Sequence, residues 1–229
     1  MIKGETVLAI VPARGGSKRL PRKNLLPLHG KPLIVWTIES GLKSKYVDRL
    51  IVSSDDPEIL TVAKYSHAET IERPAELARD DTSIFHVVED TLNKVEADFD
   101  ILVLLQPTSP LRTQEHIDQA FALMVKKKAD AIVSVSSPVH SPLWANTLPS
   151  DGNMVSFITD EVRHLRSQDL PQYFQINGAL YICRTKRLLE EKSFFLKQKI
   201  FAYRMSRHDS IDIDEAIDLE LATFIKTAT

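Results

Sequence analysis

Short apolar runs alternate along the chain with segments in which apolar residues recur at helical spacing. Residues 7–11 are all apolar, which is typical of a strand covered on both faces. Residues 33–42 have helical periodicity and follow Pro32, a position where proline favours the start of a helix. The same alternation predicts further strands at 49–53, 69–71, 100–105, 131–135, 177–183 and 199–203, and helices at 58–65, 83–95, 114–127 and 214–225.

The order of these elements predicts an α/β fold. Such an alternation gives a mostly parallel sheet with right-handed crossovers, flanked by helices. The predicted strands end near residues 12, 54, 72, 106 and 136. Open parallel sheets bind ligands at the carboxyl ends of their strands, and these ends share one edge. We therefore expect the functional site at that edge.

Residues 138–171 depart from this pattern. The segment contains Pro138, Pro142, Pro149 and the pair Asp151-Gly152, and no part of it has a convincing helical period. Long irregular segments within compact domains usually have a function or contact a partner. A β-hairpin that packs on its own monomer is the alternative.

Composition narrows the class of protein. A chain of 229 residues with 43% hydrophobic residues can bury one large core, so a single domain over 1–229 is expected. The net charge of −2 argues against a nucleic-acid or membrane partner, because both require excess positive charge. No apolar run approaches the roughly 20 residues that span a bilayer, and the N-terminus lacks a signal-peptide core, so a cytoplasmic protein is expected. The lone Cys183 is expected to be a buried apolar residue.

The segment after the first strand combines cationic side chains with two glycines. Between residues 12 and 24 it has no acidic residue and five basic ones, Arg14, Lys18, Arg19, Arg22 and Lys23. Gly15 and Gly16 permit positive φ and close backbone approach, so N–H groups can turn toward an anion. A polyphosphate ligand is favoured, and a solvated surface loop is the alternative. The loop matches neither the Walker pattern nor G-x-G-x-x-G.

The loop resembles the P-A-R-x-x-S-K-x-x-x-x-K-N sequence of the CMP-sialic acid synthetase family. The resemblance continues, in order, at R-P-A-E-L-A (73–78), L-Q-P-T-S-P-L-R (105–112), N-G-A (177–179) and D-S-I-D-I-D (209–214). It implies a Rossmann-like, mostly parallel sheet of the nucleotide-diphospho-sugar transferase type. It also implies that residues 138–171 form a protruding arm that makes a homodimer.

The resemblance implies that the substrates are CTP and an acidic nine-carbon sugar. Arg14, Ser17 and Lys18 are candidates for the β- and γ-phosphates, because cations offset the charge of a triphosphate and of the leaving pyrophosphate. Lys23 and Asn24 are implied to contact the α-phosphate and nucleoside, and Arg73 the cytosine. Ala13 completes the implied CTP-binding set, and Arg14, Lys23 and Asp214 are the catalytic candidates. For Arg73, a surface ion pair with Glu72 or Glu76 is the alternative.

Asp212 and Asp214 are the candidate metal ligands. In an extended segment, residues two apart project from the same face, so both carboxylates can reach one Mg²⁺ or Mn²⁺. Helix capping by Asp214 is the alternative, and the two roles can coexist. Asp209 is expected to form a turn or support the pair. The seven histidines show no metal-binding spacing.

Gln106, Arg163, Arg166 and Asn177 are the candidate sugar-binding residues. The resemblance implies that Gln106 contacts the acceptor, and a guanidinium in the arm suits the sugar carboxylate, in cis or from the partner subunit. Arg112 is expected to support the turn after Gln106. Two departures from sialate-activating members, at Trp144 and at Gln175-Ile176, make legionaminic or pseudaminic acid serious alternatives to sialic acid.

The predicted reaction joins the sugar to CMP and releases pyrophosphate. The same chemistry on an eight-carbon keto sugar is one alternative, since Arg19-Leu20-Pro21 partly matches that family's loop. An Asp-x-Asp glycosyltransferase, which would consume a nucleotide-sugar and release no pyrophosphate, is another. A non-catalytic nucleotide-binding dimer is the third.

Overall fold

A seven-stranded sheet forms the centre of the computed structural model, which describes residues 4–228. Its strands lie in the order β5-β4-β1-β6-β8-β7-β9. A separate two-stranded ribbon pairs β2 with β3. The strands are β1 Val7–Pro12, β2 Pro27–Leu28, β3 Lys31–Pro32, β4 Arg49–Ser54, β5 Glu69–Glu72, β6 Ile101–Leu104, β7 Ala131–Ser136, β8 Gln175–Arg184 and β9 Ile200–Arg204.

The sheet is mixed but mostly parallel. Strands β5, β4, β1 and β6 are parallel neighbours, and β7 is parallel to β9. Strand β8 is antiparallel to both β6 and β7. The carboxyl ends of β1, β4, β5, β6 and β7 therefore share one edge, as predicted. Because β8 runs the other way, its first residues, beginning at Gln175, reach that same edge.

Seven helices flank the sheet and the ribbon within the described residues. They are α1 Leu33–Leu42, α2 Pro57–Tyr65, α3 Ile84–Lys94, α4 Gln114–Lys127, α5 Asp160–Arg163, α6 Thr185–Glu191 and α7 Ala216–Ala228. The predicted α4 has the observed bounds, whereas α7 begins at Ala216 rather than at 214. Within residues 4–228, no helix is both long and apolar enough to cross a membrane.

Alternate side chains of β1 enter two different hydrophobic cores. Val7, Ala9 and Val11 belong to one core, and Leu8 and Ile10 to the other. The two cores lie on opposite faces because successive side chains of a strand point to opposite sides. The prediction of a strand covered on both faces is thus confirmed. Cys183, in the second core, is also buried as predicted.

A small third core attaches the C-terminal helix to the ribbon. Leu28, Leu33, Ile213 and Ala222 pack together there, with Leu219 against them. The backbone N–H of Ile213 also donates to the Thr108 carbonyl, 2.8 Å away, in the turn after β6. These contacts bring the segment before α7 to the carboxyl edge of the sheet.

Residues 137–174 contain no β-strand, so the alternative of a β-hairpin in the arm is wrong. The segment has the short helix α5 and 3-10 turns at Pro142–Trp144 and Ser167–Asp169. Several of its apolar side chains are exposed, among them Val139, Leu148, Met154 and Val155.

Candidate functional site

A cavity of about 530 Å³ opens at the carboxyl edge of the sheet, where the site was predicted. Its lining comes from the loop after β1, the segment after β5, the turn after β6 and the segment before α7. The candidate residues that line it are Arg14, Ser17, Lys18, Lys23, Asn24, Arg73, Gln106, Asp212 and Asp214. The structure therefore brings together residues from both ends of the chain.

Two of the phosphate candidates converge on a single carboxylate. Arg14 Nη1 and Lys18 Nζ each lie 2.5 Å from an oxygen of Asp80. Their hydrogen bonds and charges, those of Lys18 first, hold the pKa of Asp80 below its usual range. The arrangement can thus hold an anionic oxygen group. In the sequence, Asp80 stands just before the helix predicted at 83–95 and so would be interpreted as its cap, but the structure shows that Ser83 caps α3.

Lys23 joins the N-terminal loop to the C-terminal segment. Its Nζ donates to the Ile213 carbonyl at 2.6 Å and to Asp214 Oδ1 at 2.9 Å. Arg19 pairs with the other Asp214 oxygen at 2.8 Å. Lys23 is largely buried, with 12% of its side chain exposed. Just before Lys23, the residue Arg22 adopts the left-handed conformation with φ 55°, and the chain turns there.

Asp212 and Asp214 both line the cavity, in different environments. Burial, with the nearby Asp214 charge, raises the pKa of Asp212, although a hydrogen bond with Thr108 opposes this shift. Burial also acts to raise the pKa of Asp214, but Lys23 and Arg19 outweigh it and lower the pKa overall. The carboxylate of Asp214 is thus bound by cations. Asp218 instead accepts the N–H groups of Asp214 and Glu215 before α7, at 3.0 and 2.8 Å.

The donor set fits a hard divalent cation shared with a substrate. Within residues 4–228, no cluster of three or more His, Cys, Asp or Glu residues could enclose a metal ion. Mg²⁺ in nucleotide enzymes is commonly held by one or two carboxylates, with phosphate oxygens and water as the other ligands. Asp212 and Asp214 supply two carboxylates beside the cationic loop, which satisfies this requirement.

Of the two glycine properties named in the prediction, Gly15 uses close backbone approach, and neither glycine uses positive φ. Neither Gly15 nor Gly16 has a positive φ. A Cβ on Gly15 would lie 2.6 Å from Asp56 Oδ2, whereas a Cβ on Gly16 would meet nothing within 4 Å. Gly15 is therefore required for close packing against the end of β4, and the predicted use of positive φ is wrong.

Ala13, Asn24 and Arg73 are all buried beside the cavity. Asn24 donates from Nδ2 to the Arg14 carbonyl at 3.0 Å, and Ala13 donates its N–H to the Ser53 carbonyl at 3.0 Å. Both contacts fix the path of the loop. Arg73 lies 3.6 Å from Asp55, so the predicted alternative of a surface ion pair with a neighbouring glutamate is wrong.

Gln106 lines the cavity, but Asn177 lies behind it. Asn177 accepts a hydrogen bond from the Ser134 hydroxyl at 2.6 Å and donates to Ser210 at 2.9 Å, so its amide is engaged inside the protein. Gly178 has φ 73°, and a Cβ there would lie 2.7 Å from Gln106 Oε1. The N-G-A motif thus provides the close backbone approach that leaves room for Gln106.

Arg112 is fully buried beneath the turn after β6, where it was expected to provide support. It donates to the carbonyls of Gln106 and Ala179 at 3.2 and 2.9 Å and to the Ser40 hydroxyl at 3.3 Å. Burial lowers its pKa to about 9. The side chain ties the backbone of Gln106 to β8 and α1.

Arg163 and Arg166 are not brought to the cavity within one chain. They lie in the arm, where Arg163 pairs with Asp160 at 3.2 Å and Arg166 with Asp169 at 2.8 Å. Asp209 is also away from the lining, in a 3-10 turn with its carboxylate on the Ser206 hydroxyl.

The prediction missed several residues of the site. Asp80, Thr82 and Thr108 line the cavity, and Asp55 contacts Arg73 from behind it. The signal for Asp55 was its place directly after a strand that ends at the functional edge. Asp80 had no distinguishing signal, because an acidic residue before a helix reads as a cap.

Comparisons with known proteins assign the chain to one family. A family model described as cytidylyltransferase matches residues 8–227. The chain is 38% identical to CMP-N,N'-diacetyllegionaminic acid synthase of Legionella pneumophila, over 94% of each chain. It is 35% identical to N-acylneuraminate cytidylyltransferase of Escherichia coli, over 96% of this chain and 52% of that protein.

A solved structure has the same fold. CMP:2-keto-3-deoxy-manno-octonic acid synthetase, solved in complex with CTP, superposes with a TM-score of 0.73 over 97% of this chain and 99% of its own, at 18% identity. At this identity the likeness supports the architecture alone. The family match and the two sequence relatives establish the identity: the chain belongs to the cytidylyltransferase family and is similar to the acylneuraminate cytidylyltransferases.

Proposed function

We propose that this protein transfers CMP from CTP to a nonulosonic acid, with release of pyrophosphate. The observation that carries the proposal is the contact between Lys23 and Asp214, 2.9 Å apart in one cavity. This contact places a cationic, phosphate-binding type of loop beside a pair of carboxylates. Such a combination suits a triphosphate with its divalent cation.

The nucleotide would lie along the loop after β1. Arg14, Ser17 and Lys18 would bind the β- and γ-phosphates. In the structure, Arg14 and Lys18 form ion pairs with Asp80, which the phosphates would replace. Lys23 would contact the α-phosphate. Asn24 and Ala13 hold the loop in shape. Arg73 would face the cytosine from its buried position after β5.

Asp212 and Asp214 would hold Mg²⁺, or Mn²⁺, against the phosphates. When bound, the cation would offset phosphate charge as pyrophosphate departs. Lys23 would be shared between Asp214 and the α-phosphate, which keeps the ammonium fixed. Fixed charges of this kind stabilise a transition state without reorganising during the reaction.

In the reaction, the oxygen of the sugar's anomeric hydroxyl attacks the α-phosphorus of CTP. A new P–O bond forms, the bond to the β-phosphate oxygen breaks, and the hydroxyl proton passes to solvent or to a phosphate oxygen. Arg14 and Lys18 would stabilise the departing pyrophosphate. Positioning and charge stabilisation would supply most of the lowering of the barrier.

The acceptor sugar would bind between Gln106 and the arm of a partner subunit. Arg163 and Arg166 lie outside the cavity of their own chain, and the arm exposes apolar side chains that include Met154 and Val155. Clustered exposed apolar residues commonly mark an interface. A homodimer formed through residues 138–171 would cover them and could bring a guanidinium to the sugar carboxylate.

The relatives' names leave the sugar open between sialic and legionaminic acids. Trp144 and Gln175-Ile176 depart from the sialate-activating pattern, which favours the legionaminic or pseudaminic branch. An eight-carbon keto sugar is the alternative acceptor.

A pyrophosphate-release screen tests the proposal. Purified protein is incubated with CTP and Mg²⁺ and with N-acetylneuraminic, legionaminic, pseudaminic or eight-carbon keto acid in turn. We expect release only with CTP and a nine-carbon acid, together with a CMP-sugar detectable by mass spectrometry. Pyrophosphate release that is independent of every acid, or consumption of a CMP-sugar instead, would contradict the proposal.

A further inference from the structure

One carboxylate oxygen links two separate segments of the nucleotide site. Asp55 Oδ1 accepts the backbone N–H of Gly15 at 3.1 Å and lies 3.6 Å from Arg73 Nη2. Gly15 belongs to the cationic loop, and Arg73 lines the cavity. Asp55 itself does not line the cavity among the described residues.

The sheet topology explains why one residue can reach both segments. Strand β4 lies between β1 and β5. The backbone N–H of Ala13 donates to the Ser53 carbonyl at 3.0 Å, and the backbone N–H of Arg73 donates to the Ser54 carbonyl at 2.8 Å. Asp55 directly follows β4, so it lies between the segments that follow β1 and β5.

Arg73 depends on this carboxylate. Only 4% of the Arg73 side chain is exposed, and within residues 4–228 its Nε and Nη2 have no hydrogen-bond partner. Burial lowers the pKa of Arg73, and the charge of Asp55 opposes that shift. A buried cation without a compensating charge is costly and would move toward other partners or solvent.

Asp55 also restricts the conformation of the cationic loop after β1. The Gly15 N–H points at Asp55 and cannot turn freely, while Asp56 leaves no room for a side chain on Gly15. The position of the loop relative to Arg73 is thus set through Asp55. That distance separates the groups proposed to bind the phosphates from the group proposed to face the base.

We propose that Asp55 is a positioning residue that sets the spacing between the phosphate loop and Arg73, and thereby the choice of nucleotide base. This inference rests on the proposed function, since it assigns CTP to the cavity. Asp55 acts through Gly15 and Arg73 and makes no contact with the substrate.

Two variants separate its two contacts. Asp55→Asn keeps an oxygen that can accept from Gly15 but removes the charge opposite Arg73. Asp55→Ala removes both. Asp100→Asn is the matched control, because Asp100 also accepts a backbone N–H, that of Thr6 at 2.8 Å, at the start of β6 on the opposite edge.

The experiment measures equilibrium binding of CTP and of UTP, KM and kcat for CTP, and the urea midpoint of each protein. For Asp55→Asn we expect the Kd and KM for CTP to rise about ten- to hundredfold with a smaller change in kcat, and the preference for CTP over UTP to fall. Asp55→Ala should lower kcat as well. Asp100→Asn should change the urea midpoint and leave CTP affinity and base preference as in the wild type.

The outcomes are distinct. If Asp55→Asn folds and retains wild-type CTP affinity and base preference, the inference is overturned, and the same holds if only its urea midpoint moves. If Asp55→Ala does not fold, the asparagine variant still decides. Failure of the wild type to bind CTP would instead refute the proposed function.

Discussion

At the scale of single residues, the ammonium group of Lys23 links two segments of the site that are remote in sequence. Its ammonium is held by the Ile213 carbonyl and by Asp214, so its position depends on both ends of the chain. Arg19 also pairs with Asp214 but is far more exposed. Lys23 therefore contributes a largely buried charge, whereas the charge of Arg19 is exposed and screened by solvent.

Replacement of this ammonium should affect turnover much more than folding. For Lys23→Met we expect kcat to fall about 10²- to 10³-fold, because a preorganised charge at the reacting phosphate is lost. Asp214 keeps Arg19, so the free energy of unfolding should fall by only about 1–2 kcal/mol. Pyrophosphate release and urea denaturation measure the two effects.

Lys126→Met is the matched control, since Lys126 is exposed on α4 away from the cavity. It should match the wild type in both measurements. A Lys23→Met enzyme with wild-type kcat would remove Lys23 from the catalytic residues.

At the scale of elements, the end of β4 shapes the loop after β1. Asp55 accepts the Gly15 N–H, and Asp56 caps α2 by accepting the N–H groups of Glu58 and Ile59 at 2.8 and 3.3 Å. Arg22, farther along the loop, pairs with Glu58. A cationic loop is thus packed against acidic residues from the start of the neighbouring helix, which offsets its charge before any nucleotide binds.

A methyl group on Gly15 should be costly, whereas one on Gly16 should not. For Gly15→Ala we expect the free energy of unfolding to fall by about 1–3 kcal/mol, because the new Cβ would overlap the Asp56 carboxylate. For Gly16→Ala the change should stay within about 0.5 kcal/mol, since the surrounding space is open. Equal urea midpoints for the two variants would contradict this packing.

Asp56→Ala tests the same contact from the other side. Alone, this change should lower the free energy of unfolding by about 1–2 kcal/mol through loss of the α2 cap. Combined with Gly15→Ala it should cost less than the sum of the two single changes, because the overlapping carboxylate is gone. Strict additivity in this double-mutant cycle would show that the overlap is not what destabilises Gly15→Ala.

At the scale of the whole molecule, the arm of residues 138–171 exposes several apolar side chains in a single chain. Met154 and Val155 expose 58% and 78% of their surface, and the neighbouring Arg163 and Arg166 pair with Asp160 and Asp169 of their own segment. The strand β1 in the sheet, by contrast, buries its apolar side chains on both faces. A second copy of the arm is the proposed cover for this surface.

The expected oligomer is a homodimer that Met154→Asp combined with Val155→Asp dissociates. Charges in an apolar interface would be desolvated without partners, which weakens association strongly. Sedimentation at micromolar concentration measures the change. Tyr65→Asp is the control, because Tyr65 is 83% exposed on α2, outside the arm, and should leave the dimer intact. A wild-type monomer would contradict the expectation.

The sequence alone determined the alternation of elements, the edge of the sheet at which the cavity opens and about half of the residues that line it. Local patterns suffice for these features, because strand burial and helix periodicity follow from neighbouring residues, as at β1 and α4. Arg14, Lys23 and Asp214 became candidates through the family resemblance, because their motifs are also continuous stretches of sequence.

Only the tertiary structure decided which side chains act on one another across the chain. Asp80 pairs with Arg14 and Lys18 and does not cap a helix. Asp55 contacts the segments that follow two neighbouring strands, through Gly15 and Arg73. A side chain on Gly15 would overlap Asp56. Each of these depends on distances between segments that are remote in sequence. Such distances are set by the order of strands in the sheet and by packing, which no local pattern contains.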